Sequence, residues 1–260
     1  MFHILTYGTN IEKLTNLKKS SELNKTQINY IIEPQFNYIG YESKIFKMRE
    51  AIKNLLPNDI ICFVDAYDVL ALAPNTEILE KFKEYNCDLL IGSEVNSYPY
   101  GYDNKYPETN HETNYKHINS GGYIGYKFAI MNLFNWKSDE DIIKICKNGG
   151  DQTYFIEYYL SNNSDKIKMD YKQSIFQNMF LISWNDFIIK NSRIYNSILN
   201  QYPCFMHFNG LSNMTDSNID IMNIFVNKLY KSVDSNDLIL DVCDYKKSQW
   251  PNPTIINQLR

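Results

Sequence analysis

Ile60-Ile61-Cys62-Phe63-Val64-Asp65-Ala66-Tyr67-Asp68 decides how this chain folds. Five apolar residues, mostly branched or aromatic, follow the turn-forming Pro57-Asn58-Asp59 and stop at two aspartates three positions apart. A run of that length and composition predicts a strand buried on both faces, as in a parallel sheet. In an open α/β sheet, ligands gather beyond the carboxyl ends of the strands, and Asp65 and Asp68 fall there. Paired carboxylates offer hard oxygen ligands to Mg²⁺ or Mn²⁺, and a cation so held can hold a diphosphate. The plainer alternative is an aspartate capping the next turn, with its neighbour in solvent.

Outward from this strand, strand-like and helix-like segments alternate. Strands are predicted over 2–6, 28–33, 59–64 and 88–92, and helices over 10–20, 43–56 and 75–85. Ile45, Met48, Ile52, Leu55 and Leu56 recur at helical spacing in the second helix. Such alternation predicts a mostly parallel sheet covered on both faces. From Ser93 to His117 the pattern dissolves into Tyr, Pro, Gly and Asn, and a long irregular stretch inside a compact domain is more often functional than not. Further helices are predicted over 127–135, 139–147, 151–161 and 217–231, with a strand over 203–207. There is no repeat or linker, so 1–235 reads as one domain and 236–260 as a peripheral tail packed on it.

The composition narrows the function classes. With 260 residues, 44% hydrophobic and 22% charged, the chain can bury a full core. A net charge of −4 without a basic stripe argues against nucleic acid as the partner. No apolar run reaches the length of a transmembrane segment. The five cysteines are scattered and odd in number, which predicts buried free thiols. The start, Met1-Phe2-His3-Ile4-Leu5-Thr6, has neither a basic stretch nor a long apolar one. It does not resemble a signal peptide, and a cytoplasmic or otherwise non-secreted location is the expectation.

His207 closes the apolar run Cys204-Phe205-Met206 ahead of Phe208-Asn209-Gly210, so it too is placed at a strand end. It is the best-placed histidine for a third ligand, or else a hydrogen-bonded structural residue; imidazole would favour Mn²⁺ over Mg²⁺. Asn119-Ser120-Gly121-Gly122 is either a tight turn or a place where backbone approaches a ligand, with Asn119 and Ser120 reaching sugar hydroxyls. Gly149-Gly150-Asp151-Gln152 opens a helix, where capping alone accounts for the aspartate. Glu94, just past a strand, is either a site acid or a solvated charge.

Taken in order, these blocks resemble the glycosyltransferase domain of the collagen lysyl hydroxylase/glycosyltransferase family. Phe63-Val64-Asp65-Ala66-Tyr67-Asp68-Val69-Leu70 is similar to that family's FVDSYDV block. Tyr106-Pro107-Glu108, Ile118-Asn119-Ser120-Gly121-Gly122-Tyr123-Ile124-Gly125 and Asp151-Gln152 are similar to its YPE, LNSGGFIG and DDQLFY. Ser174-Ile175-Phe176-Gln177-Asn178 and His207-Phe208-Asn209-Gly210 are similar to SRIFQN and HGNG. The similarity runs from about residue 2 to 215.

The resemblance implies a single α/β, Rossmann-like GT-A domain with Mn²⁺, or alternatively Mg²⁺, held by Asp65, Asp68 and His207. It implies a UDP-sugar near Thr6, Lys44, Tyr67, Tyr98, Asn119, Ser120 and Gln152, with Asp151, Glu94 and Asn209 at the reacting sugar. The implied reaction is retaining transfer of glucose from UDP-glucose to a hydroxyl acceptor such as galactosyl-hydroxylysine of a collagen-like chain. UDP-galactose or UDP-GlcNAc as donor, and a non-catalytic sugar-nucleotide or glycan-binding module, are the alternatives. Three departures bear on sugar and acceptor. Asn148-Gly149-Gly150 replaces a run of acidic residues, Tyr98 stands where the family has a tryptophan, and Phe208 replaces a glycine beside the pocket.

Overall fold

The computed structural model describes residues 1–107, 113–162, 164–183, 186–210, 222–229 and 240–241. In chain order these form β1 (Phe2–Gly8), α1 (Thr15–Leu23), β2 (Asn29–Ile32), α2 (Glu42–Ile52), β3 (Ile60–Val64) and β4 (Val69–Ala71). Then come α3 (Asn75–Glu84), β5 (Leu89–Glu94), β6 (His117–Tyr126), α4 (Lys127–Phe134), α5 (Asp139–Lys147) and α6 (Gly150–Ser161). The rest comprises β7 (Ile167–Met169), β8 (Phe176–Asn178), β9 (Phe187–Lys190), β10 (Arg193–Asn196), β11 (Phe205–His207), a helix α7 over 222–229 and β12 (Leu240–Asp241).

The main sheet has six strands in the order β2-β1-β3-β6-β5-β7. Its strands alternate between two cores, as a period of two demands when both faces are covered. Ile61 and Phe63 of β3 join Leu5, Leu89 and Tyr123 in a core packed with Ile45 and Met48 of α2, Ile130 of α4 and Phe155 of α6. Ile60, Cys62 and Val64 face the other way, onto Leu17 of α1 and Ile78 and Phe82 of α3. The Phe63 and Tyr123 rings stack across β3 and β6 at 5.0 Å, and burying such a ring contributes about 1.5–3 kcal/mol.

The sheet is mixed, which corrects the expectation of one mostly parallel Rossmann-like layer. β6 runs antiparallel to both β3 and β5. The connection supplies the reason: among the described residues between β5 and β6 no crossover helix carries the chain back, and β6 enters from the end at which β5 left. Two smaller sheets, β4-β11-β8 and β10-β9-β12, lie outside it and enclose a third core with Phe187, Met206, Phe208 and Phe225. Of the expected tail, 236–260, only β12 lies within the described residues, and it pairs antiparallel with β9. Glu108, His111 and Cys243 also lie outside them. Cys62, Cys87, Cys146 and Cys204 are buried free thiols, as expected. No described helix is long and apolar enough to cross a membrane.

Candidate functional site

β3 ends at Val64, and the backbone N–H of Asp65 donates to the Gly121 carbonyl at 2.8 Å, fastening the aspartate turn to β6. After Asp68 the chain enters β4, which pairs antiparallel with β11 so that Val69 faces His207. The Phe208 N–H donates to the Asp68 carbonyl at 2.8 Å. The small sheet therefore carries a histidine from far along the chain onto the aspartate pair. His207 Nε2 lies 3.3 Å from Asp68 Oδ2 and 3.8 Å from Asp65 Oδ2. One ligand atom from each of the three residues falls within 4.8 Å of the others, an arrangement able to hold a cation.

The surroundings fit a divalent ion. Asn178 pairs with His207 in the parallel register of β8 and β11, and its Oδ1 sits 2.8 Å from His207 Nδ1. Asn178 Nδ2 donates to the Ser93 carbonyl at 2.8 Å, which turns Oδ1 toward the ring. Nδ1 is then the donor and Nε2 is left as the ligand atom facing the carboxylates. Gly121 makes room for the meeting: a Cβ there would fall 2.1 Å from His207 Cε1 and 2.9 Å from Asp65 Oδ2. Two carboxylate oxygens and an imidazole nitrogen are a donor set suited to Mn²⁺.

The electrostatics describe carboxylates lacking a full counter-charge. Burial pushes the Asp65 carboxyl up, against the pull of Lys44 and His207. Burial acts the same way on Asp68, but the adjacent His207 imidazole outweighs it and holds that carboxyl below the aspartate range. His207 is raised: burial alone would lower it, and Asp68 overcomes that. A divalent cation among them would favour the ionised carboxylates and the neutral imidazole.

Beside this cluster, Lys44 of α2 reaches Asp65 Oδ1 at 3.0 Å and Asp151 Oδ2 at 2.5 Å. Burial works against its charge, and the two aspartates overcome that and raise it above the lysine range. Glu94, at the end of β5, is buried and accepts from three amides: Asn119 Nδ2 at 3.0 Å, Gln152 Nε2 at 2.9 Å and Asn209 Nδ2 at 2.8 Å. Burial raises its carboxyl, against the lowering effect of those bonds. It is a hub of a polar network and not a solvated charge. Asn119 Oδ1 in turn takes the Gly121 N–H, and Asn209 Oδ1 takes those of Met179 and Phe180.

The structure thus brings Lys44, Asp65, Asp68, Glu94, Asn119, Ser120, Asp151, Gln152, His207 and Asn209 together. Ser120 joins through its backbone, which receives Lys44 Nζ and donates to Gln152 Oε1. Tyr98 stands at the rim, about half exposed. The Tyr67 hydroxyl accepts the N–H groups of Thr9 and Asn10 and so fixes the loop after β1. Thr6 is fully enclosed in β1 with its hydroxyl unpartnered, and no face of it opens to a ligand. Phe208 does not crowd the pocket as its position suggested; its ring is buried in the third core against Phe225, at 5.6 Å. Sequence reasoning missed Asn178 as the orienting partner of His207, although the quoted Phe176-Gln177-Asn178 contains it. Tyr38 stands near this network: burial, Tyr41 and Asp151 push its phenol up to about 12.

Known proteins resemble this arrangement in sequence and in fold. The family model of the PLOD GT domain matches residues 26–236. A mimivirus relative, protein R699 of Acanthamoeba polyphaga mimivirus, is 31% identical over 179 residues, covering 66% of this chain and 36% of that protein. The human multifunctional procollagen lysine hydroxylase and glycosyltransferase LH3 is 31% identical over 162 residues, covering 58% of this chain and 20% of LH3. The chain therefore matches about a third and a fifth, respectively, of the length of these relatives.

Among solved structures, a glycosyltransferase involved in glycosylating the major capsid of PBCV-1 superposes with a TM-score of 0.52 at 12% identity. That superposition covers 86% of this chain and 98% of the other. The galactosyltransferase LgtC, solved with donor and acceptor sugar analogues, gives 0.50 at 13% identity over 91% and 98%. These likenesses show a shared α/β fold.

Proposed function

This chain belongs to the PLOD GT domain family, and from that membership we propose that it is a cation-dependent hexosyltransferase of the GT-A type. Glucose from UDP-glucose is the transferred unit, and a hydroxyl such as that of galactosyl-hydroxylysine in a collagen-like chain is the acceptor. We take residues 1–235 as the catalytic domain and 236–260 as a tail upon it. One observation carries the reading: Asp65, Asp68 and His207 converge at the carboxyl end of β3, beside the Lys44 ammonium. A divalent cation bound there supplies Lewis-acid stabilisation of the charge that develops on departing UDP.

The chain's own residues do the rest. Asp65 and Asp68 present oxygens to one face, and Asn178 holds His207 so that Nε2 completes the set. Lys44 places a permanent positive charge where the diphosphate would lie, with Asp65 and Asp151 balancing it. Glu94 locks Asn119, Gln152 and Asn209, so the amides that meet the sugar are set before it arrives. Asp151, held beside the cluster by Lys44, is assigned to the reacting sugar. Tyr67 and the loop it fixes form the nucleotide side, with Tyr98 at the rim.

A second reading draws on one feature. Both Glu94 oxygens are occupied by amides and Asp151 is paired with Lys44, so each of these carboxylates is already engaged. A sugar-nucleotide-binding module without turnover would show that arrangement.

The deciding experiment screens UDP-glucose, UDP-galactose and UDP-GlcNAc for Mn²⁺-dependent release of UDP. UDP-glucose should give the fastest release, and Asp65→Ala should abolish it. Binding of UDP with no sugar freed from any donor would select the module, and full activity of Asp65→Ala would remove the cation from the mechanism.

A further inference from the structure

The turn between β7 and β8 carries the chain from the main sheet into the small sheet that holds His207. Gln173 lies in that turn, fully buried and with φ +53°. A left-handed backbone is rare for a residue other than glycine, and it persists only where the surroundings over-determine it. We propose that Gln173 is a positioning residue of the cation centre: its amide clamps the end of β5, which carries Glu94, to the end of β8, which carries the Asn178 that aims His207. The proposal rests on the reading of that centre as a cation-dependent transferase site.

The side chain uses both ends of its amide. Gln173 Nε2 donates to the Ser93 carbonyl at 2.8 Å, to Ser93 Oγ at 3.1 Å and to the Asp170 carbonyl at 2.9 Å. Gln173 Oε1 accepts the Asn178 N–H at 2.8 Å. Carbonyls on one side and an N–H on the other decide which end of the amide is which. Ser93 immediately precedes Glu94, the carboxylate that holds Asn119, Gln152 and Asn209. Asn178 closes the loop, since its Nδ2 donates to the same Ser93 carbonyl while its Oδ1 meets His207 Nδ1.

The turn does not need this side chain for its shape. Asp170, buried alongside, takes the N–H groups of Ser174, Ile175 and Phe176 at 3.1, 2.8 and 2.7 Å, and the Gln173 N–H donates to the Asp170 carbonyl at 2.9 Å. Glycine would adopt φ +53° more readily than glutamine. What glutamine adds is reach, from the turn to strands of two different sheets. Glu94 and Asp65 stand at strand ends of the main sheet, whereas His207 belongs to the small one. Among the described residues these two sheets share no ladder. A buried, saturated amide at their junction therefore sets how the sugar-side amides and the histidine ligand stand to each other.

The test uses Gln173→Gly, which keeps the backbone conformation and removes the clamp. Gln173→Asn, a shorter amide that also tolerates positive φ, is the second variant. Two quantities are read in the full chain: Mn²⁺ affinity with UDP present, by isothermal titration, and the His207 tautomer of the metal-free protein, by ¹⁵N NMR at a pH where the ring is neutral. Both variants should melt cooperatively and bind Mn²⁺ about threefold to tenfold more weakly, less than the loss of a direct partner of the histidine. The metal-free ring should shift from Nδ1–H toward Nε2–H. In an Asn178→Leu background, Gln173→Gly should lower the affinity no further. A wild-type value of either quantity in a folded variant overturns the proposal. So does an equal further loss in the Asn178→Leu background, which would make Gln173 act through general packing. Failure of both variants to fold assigns the residue to stability and overturns it as well. If the wild-type chain binds no Mn²⁺ with UDP, the transferase reading falls and the tautomer alone decides the clamp: a shift upholds it, and an unchanged ring overturns it.

Discussion

Replacing Asn178 by leucine should detach the histidine from the cation site without touching a ligand atom. Asn178 Oδ1 is the partner of His207 Nδ1 at 2.8 Å, and both side chains are buried. Without it, Nδ1–H has no acceptor and the ring loses the bond that aims Nε2 at the aspartates. Loss of such an outer partner typically lowers metal affinity about 10–100-fold, equivalent to about 1.4–2.7 kcal/mol. The fold should lose about 1–3 kcal/mol for the orphaned donor. Ser93 O is not orphaned, because Gln173 Nε2 also donates to it at 2.8 Å. Asn178→Asp keeps an acceptor for Nδ1–H and should bind Mn²⁺ more tightly than Asn178→Leu. Isothermal titration with Mn²⁺ in the presence of UDP reads the difference, and thermal melting separates it from unfolding. A folded Asn178→Leu with wild-type Mn²⁺ affinity would refute the assignment of the tautomer and the role of this pair.

Gly121→Ala should abolish Mn²⁺ binding, because the added Cβ would strike the buried His207 ring at 2.1 Å; the overpacking should cost about 1–3 kcal/mol in a denaturant titration. Mn²⁺ affinity should rise with pH across the imidazole range. His207 is held above its usual value, the cation takes the neutral ring, and each pH unit below its pKa costs about tenfold; a pH-independent affinity would exclude the histidine as a ligand. Glu94→Gln sets an amide NH₂ among three donors and should lower turnover sharply while Mn²⁺ affinity holds, as steady-state kinetics and titration would show. Glu77 accepts both Arg193 nitrogens, at 2.7 and 3.0 Å, and burial, which opposes its charge, is outweighed by Arg193 and Lys81, so its carboxyl is lowered. Glu77→Gln should therefore destabilise the fold by about 1–2 kcal/mol at pH 7. The difference is present above the unfolded glutamate pKa and fades as pH falls through the lowered folded value, so melting curves of the two proteins should converge in acid.

What could be read in the sequence was local and directional. Ile60 to Asp68 shows where a buried strand stops, and stopping places are where side chains meet ligands, so Asp65, Asp68 and His207 were all visible. Their convergence was not, because it depends on β4 pairing with β11, a contact between residues far apart in the chain. Asn178 stayed hidden for the same reason: its role exists only in the β8–β11 register. The reversal of β6 was also illegible, since Ile118 to Gly125 carries no mark of direction. Phe208 looked like an obstruction from its place beside His207, yet successive strand side chains face opposite ways and the ring turns into the third core.

Anomalous diffraction from crystals grown with Mn²⁺ and UDP tests the Asp65–Asp68–His207 cation site itself. One manganese peak should appear within coordination distance, about 2 Å, of Asp65, Asp68 and His207 Nε2, with the diphosphate on its open side toward Lys44. A peak elsewhere, or UDP bound with no metal at these three residues, would contradict it.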